Sequence, residues 1–157
     1  MLYLGRPTDS VTVEAYRHLI DPIVDTPAPP IRPRVLVTCE VSVSEILDLR
    51  SAANRTLAGL TIQELQSETH DKAAYAACQN VSAAAHQLGY HGLIAPAATK
   101  MGETLVLFTD LLTADERPVR TGEEVWVELP ADPRNPPRGA IYGWCGRSHR
   151  IVPFLAA

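Results

Sequence analysis

The segment formed by residues 73–108 limits the possible folds of this chain more than any other part of the sequence. It contains an alanine-rich helical pattern, a glycine at position 89 and two short apolar runs, 92–95 and 104–109, joined by a loop of small residues. Asp71 can cap the helix, and Gly89 lies where a left-handed helix stop belongs. Apolar side chains recur at spacings of three and four, which predicts one buried helix face: Ala74, Cys78, Val81, Ala85 and Leu88. Small-residue loops let a substrate approach the backbone, so the loop after the helix is a candidate site.

The first half of the chain predicts short strands and helices. The pattern at 1–4 is a strand, and Asp9 or Ser10 can cap a following helix that Pro22 ends. Residues 35–41 are β-branched and mostly apolar, which predicts a well-buried strand. Two further short helices are predicted, one at 45–49 and one opened by a capping box of Thr61 and Glu64.

The second half adds strands and proline-rich connections. Residues 124–129 alternate valine or leucine with glutamate or tryptophan, which predicts a half-exposed strand. Residues 140–144 and 151–155 predict a terminal strand pair, and the stretches at 26–33 and 132–139 are proline-rich surface connections. The mixed order, without repeats or strict βαβ alternation, predicts a single α+β domain with a mixed sheet flanked by helices.

Composition excludes several functional classes. A length of 157 residues fits one domain, and a net charge of −4 argues against nucleic acid binding as the main task. The three cysteines lack ligand spacing, so neither a disulfide framework nor a zinc site is indicated, and Cys39 and Cys78 are predicted to be buried thiols. No leader or membrane-spanning run is evident, which predicts a cytoplasmic, reduced protein.

Common catalytic motifs are absent from the sequence. The glycines match neither the dinucleotide fingerprint nor the phosphate loop, and there is no Gly-x-Ser-x-Gly motif. The five histidines show no metal spacing, so we expect surface or packing roles for them and no metal site.

A composite pattern remains, and it resembles the RES domain, a family named for an Arg, a Glu and a Ser. Its elements are Tyr3-Leu4-Gly5, the helix start at 10–14 with Glu14 eleven residues after Tyr3, the helix at 75–92, the loop at 92–98 and the strand at 105–108. The resemblance covers residues 2–112. We predict that residues 1–112 form a RES-like domain without the family's N-terminal Arg segment, and that 113–157 form a β-rich extension packed on it.

RES proteins are toxins of bacterial toxin-antitoxin pairs, have a fold similar to ADP-ribosyltransferases and destroy NAD. The resemblance therefore implies that NAD is a substrate rather than a cofactor, and that a helix-turn-helix antitoxin covers the cleft. It implies that Glu14 stabilises the positive charge that develops on the ribose as the nicotinamide bond breaks. Tyr3 matches the family's Tyr and would position the substrate. By residue type alone, Glu14 would be a solvated helix carboxylate and Tyr3 a strand aromatic.

The chain departs from the family pattern at two positions. The family's Ser position reads Ala97, and Thr99 is the nearby hydroxyl; we expect both to line the pocket. The family's Arg lies upstream of its Tyr, whereas this sequence starts two residues before Tyr3, and Arg6 lies on the wrong side of the strand turn. Two interpretations stay open. The start codon lies further upstream, or the chain is a degenerate, catalytically inactive member that binds an antitoxin or an NAD-like ligand.

Overall fold

A computed structural model describes residues 1–22, 31–67 and 71–135, together with a strand at 152–153. The elements are, in chain order, β1 (Leu2–Arg6), α1 (Thr8–Leu19), β2 (Arg34–Glu40), β3 (Ile46–Asp48), α2 (Ala52–Leu57), α3 (Ile62–Leu65), α4 (Lys72–Gln87), β4 (Gly92–Pro96), β5 (Glu103–Leu107), β6 (Val119–Trp126) and β7 (Val152–Pro153). No helix in these ranges is long and apolar enough to cross a bilayer.

The main sheet is mixed, with strand order β3-β4-β5-β1-β7. β3 runs parallel to β4, and the other neighbours are antiparallel. β2 and β6 form a separate two-stranded sheet. Helices and a mixed sheet together confirm the predicted α+β domain.

The two faces of the main sheet are covered by different parts of the chain. Leu93, Ala95 and Val106 contribute to one core cluster, against which Cys78 and Val81 of α4 pack. The opposite face contributes to a second cluster: Leu4, Leu105 and Leu107, packed with Cys39 and Leu112. The period-two alternation of strand side chains therefore divides the sheet into a face covered by α4 and a face covered by β2, the residues that follow β2, and Leu112.

The caps predicted for helix α4 are confirmed. The Asp71 side chain accepts hydrogen bonds from the backbone N–H groups of Ala73 and Ala74, both at 3.1 Å. Gly89 has a φ of 83°, the left-handed conformation expected of a helix stop. Ala74 and Ala85 are buried, but Leu88 is 76% exposed. The prediction that Leu88 belongs to the core is wrong, because Leu88 is the C-cap residue and does not continue the buried helix face.

Two local predictions in the first half are wrong. Residues 46–48 form strand β3 rather than a helix, because their backbone pairs with β4 and this long-range pairing overrides local propensity. Neither Asp9 nor Ser10 caps α1, which begins at Thr8 after Pro7 and has no side-chain cap. The helix ends at Leu19, before Pro22. The capping box at Thr61 is confirmed.

The observed burial of β2 and β6, which form the two-stranded sheet, differs from the prediction. β2 is half-exposed, because a two-stranded sheet leaves one face uncovered: Leu36 and Cys39 are buried, while Val35 is 41% exposed. β6 ends at Trp126, earlier than predicted, and Trp126 is its buried residue, packed with Val11 and Leu36. Val125 and Val127 lie in the exposed part of this segment.

Several predictions fall on parts of the chain that are not described. The segment 140–144 lies outside the described residues, and the proline-rich connections 26–33 and 132–139 lie partly outside them. The described part of 151–155 is β7, which pairs with β1. Cys39 is buried as predicted, whereas Cys78 is half-buried.

Candidate functional site

A cleft of about 1050 Å³ lies on the α4 side of the main sheet. Its walls come from β1, α1, α3, α4, β4 and β5. The sheet register brings Tyr3 to this side, because Tyr3 is paired with Val106 and Val106 with Leu93. Directly paired residues of antiparallel strands point to the same face, so Tyr3 shares a face with two cleft residues.

Glu14 enters the same cleft from helix α1. Its side chain is 14% exposed and is held by the next turn of its own helix. His18 Nε2 lies 2.8 Å from Glu14 Oε1, and Arg17 Nη1 donates to Glu14 Oε2 at 3.4 Å. Residues three and four positions apart are neighbours on a helix surface, which explains both contacts. The carboxylate therefore has a fixed position within the cleft.

Tyr3 provides a phenol at the edge of the cleft. It is 45% exposed. Partial burial raises the pKa of Tyr3 above its usual value, and the nearby Tyr75 hydroxyl raises it further. A tyrosine hydroxyl is protonated at neutral pH, so Tyr3 has a donor that a ligand can use. Tyr75, at the start of α4, also lines the cleft.

Ala97 and Thr99 do not line the cleft, although their neighbours Pro96 and Ala98 do. Ala97 is 1% exposed. Thr99 Oγ1 lies 2.7 Å from Ser10 Oγ and also donates to the Met101 carbonyl oxygen. The structure thus brings Tyr3 and Glu14 together in one cleft and places Ala97 and Thr99 in the packing beside it.

Comparison with known protein families identifies the domain to which this cleft belongs. The sequence matches the RES domain over residues 1–129. The chain belongs to the RES domain family. The match extends beyond residue 112 and includes β6, so the two-stranded sheet lies within the matched region. No curated protein and no solved structure matches the chain significantly.

Sequence reasoning missed Arg17, a cleft residue of this RES domain. The Arg17 side chain is 11% exposed, and its Nη2 donates to the Ser67 carbonyl oxygen at 3.0 Å. The spacing of three residues between Glu14 and Arg17 was the available signal, since it places both on one helix face. Arg6, by contrast, is paired with Glu103 at 2.5 Å and does not line the cleft.

A histidine and an aspartate form a second polar pair in the cleft of the RES domain. His86 Nε2 lies 2.7 Å from Asp110 Oδ2, and the His86 ring stands edge-on to Phe108 with centroids 5.1 Å apart. The hydrogen bond to His86 lowers the pKa of Asp110. Across the described ranges, no three histidine, cysteine or acidic side chains are placed to hold a metal ion.

Proposed function

We propose that this RES domain cleaves the nicotinamide N-glycosidic bond of NAD, and that the cleft binds the dinucleotide. One observation carries the proposal: Tyr3 and Glu14, matched to the family by sequence, lie on different elements and line the same cleft. Their shared position in the cleft supports a joint role in binding and cleaving the substrate.

The chemistry requires a carboxylate near the ribose. As the glycosidic bond lengthens, positive charge develops on the ribosyl group, and a fixed carboxylate stabilises that charge. Nicotinamide leaves as a neutral molecule, so no acid is needed, and a nucleophile (water, phosphate or a protein side chain) forms the new bond to the ribose carbon that nicotinamide has left. Glu14 supplies the carboxylate, and the protonated Tyr3 hydroxyl supplies a hydrogen bond that orients the substrate.

The size of the cleft is compatible with a dinucleotide. Small-molecule pockets occupy roughly 300 to 1,000 Å³, and this cleft of about 1050 Å³ is slightly larger than that range. Its walls combine apolar side chains such as Leu93 and Phe108 with polar groups from α1 and α4. This combination suits a ligand that has aromatic rings and polar linkages.

Nicotinamide release measures the proposed activity. Purified protein incubated with NAD should release nicotinamide, and Glu14→Gln should lower the rate by about 10² to 10³-fold, because the group that stabilises the transition state loses its charge. The matched control is Glu123→Gln, which changes the same charge at an exposed residue of β6 paired with Arg120. A Glu14→Gln rate equal to that of the wild type would refute the proposal.

A second function is favoured by Ala97. The position of the family's Ser has no hydroxyl here, and the nearby Thr99 hydroxyl is bonded to Ser10. The alternative is therefore a RES domain that binds an NAD-like ligand or an antitoxin without turnover. If calorimetry shows that the protein binds NAD and no nicotinamide is released, binding without turnover would be supported and cleavage would be excluded.

The proposed protein partner is a helix-turn-helix antitoxin that covers the cleft. Exposed aromatic residues at the cleft, Tyr3 and Tyr75, are suited to such a contact because aromatic side chains are enriched in interfaces. The partner and NAD should then compete for the protein. Simultaneous binding of both without loss of affinity would contradict a partner that covers the cleft.

A further inference from the structure

We propose that Arg17 is the phosphate-binding residue of the cleft, and that it selects ligands carrying a diphosphate. The inference rests on the proposed function only in assigning part of the same ligand to a side chain. It adds a residue of α1, next to Glu14, that binds a different part of the ligand.

The first observation is the burial of a guanidinium with unused donors. Arg17 has five N–H donors. Its contacts within the described residues use Nη1 for Glu14 and Nη2 for the Ser67 carbonyl oxygen. The side chain is 11% exposed, and none of its nitrogens is among the buried atoms that lack a partner in the described residues, so its remaining donors keep access to the cleft. A guanidinium that lines a cleft and has accessible donors is suited to bind an anion.

The second observation is that His18 and Arg17 contact the Glu14 carboxylate at different distances. His18 approaches the carboxylate at 2.8 Å, whereas the Arg17 contact is 3.4 Å, near the outer limit of a hydrogen bond. Glu14 is thus held mainly by His18, and Arg17 can direct its other N–H groups to a ligand. The planar guanidinium matches two phosphate oxygens at once.

The third observation concerns the other cationic side chains of the described region. Arg17 is the one guanidinium among the described residues that line the cleft. Outside the cleft, Arg6 is bonded to Glu103, and Arg50 is bonded to Asp48 at 2.6 Å. In the cleft, His86 is bonded to Asp110. Arg17 also contacts Glu14, but only at 3.4 Å, and it is the guanidinium that a diphosphate bound in the cleft would meet.

The test compares ADP with adenosine by calorimetry, and so does not depend on NAD cleavage. The wild type should bind ADP more tightly than adenosine. Arg17→Gln should weaken ADP binding about 10- to 100-fold, the range expected for losing charge-assisted hydrogen bonds, and leave adenosine binding unchanged. Arg120→Gln makes the same charge change in an exposed ion pair on β6 and should leave both affinities unchanged.

Two further variants separate this role from structural and catalytic ones. Arg17→Lys keeps the charge but not the planar fork, and should retain part of the ADP affinity. Glu14→Gln removes a negative charge beside the site and should bind ADP at least as tightly as the wild type. If Arg17→Gln is unstable, these two variants decide the question. The proposal is overturned if the wild type does not prefer ADP, if Arg17 variants bind ADP normally, or if they lose adenosine and ADP binding equally.

Discussion

At the residue scale, the site depends on side chains whose neighbours fix their positions. Glu14 is held by residues one helical turn away, and Tyr3 is a partly buried phenol whose pKa is raised by that burial. The sequence identified both residues by their spacing. It could not identify Arg17, since one arginine on a helix is usually solvated and only the fold shows that this one is buried.

Removal of the Tyr3 hydroxyl tests its orienting role. Tyr3→Phe keeps the ring and should preserve the fold, but it loses one neutral hydrogen bond to the substrate. We expect kcat/KM for NAD to fall about 2- to 10-fold, measured by nicotinamide release at neutral pH. Tyr16→Phe is the matched control, because the Tyr16 hydroxyl bonds the Pro130 carbonyl oxygen and does not line the cleft. Equal activity of Tyr3→Phe and wild type would remove Tyr3 from the mechanism.

At the element scale, strand β4 is the central support of the cleft. It pairs with β3 on one side and β5 on the other. At its first residue, Gly92, a Cβ atom would collide with the Val106 carbonyl oxygen and lie 3.1 Å from Ile46 Cδ1. The close approach of the β4 and β5 backbones requires glycine at position 92. The glycine at the start of β4 therefore helps to set the distances from β4 to β3 and β5.

Gly92→Ala should therefore destabilise the domain. The backbone of β4 must shift to admit the methyl group, and overpacking of this kind costs about 1 to 3 kcal/mol. Urea denaturation measures the free energy of unfolding. Gly122→Ala is the control, since the nearest atom to its added Cβ is Thr38 Cβ at 3.9 Å. Unchanged stability of Gly92→Ala, or an equal loss in both variants, would contradict the close approach.

At the scale of the whole molecule, Glu116 joins segments that are distant in sequence. Its buried carboxylate accepts bonds from the Ser44 hydroxyl at 2.6 Å and backbone N–H at 2.8 Å, and from Thr113. His91 Nδ1 lies 2.7 Å from Glu116 Oε2. The bonds from Ser44, followed by those from Thr113, lower the pKa of Glu116 to about 2.

This shift predicts an acid-dependent loss of stability. Because the folded pKa is below the ordinary value of 4.5, Glu116 stabilises the fold fully above pH 4.5, and this contribution is lost as the pH falls towards 2. Glu116→Gln should lower the Tm at pH 7, and its difference from the wild type should shrink between pH 4.5 and pH 2. Thermal denaturation across this range checks the prediction. A difference independent of pH would contradict it.

Elements that depend on short-range interactions could be predicted from the sequence. Asp71 and Gly89 bound α4, and Thr61 with Glu64 opens α3, because these caps are bonds between residues close in the chain. The spacing of Tyr3 and Glu14 pointed to the family for the same reason, since a strand followed by a helix is a local unit.

Which surfaces face each other depends on long-range contacts that the folded chain alone reveals. Residues 46–48 became a strand through pairing with β4, and Trp126 was buried by contact with Val11. Long-range packing likewise placed Arg17 inside the cleft and Ala97 outside it. Strand pairing and the walls of a cleft are formed by residues far apart in sequence, so no local pattern contains them.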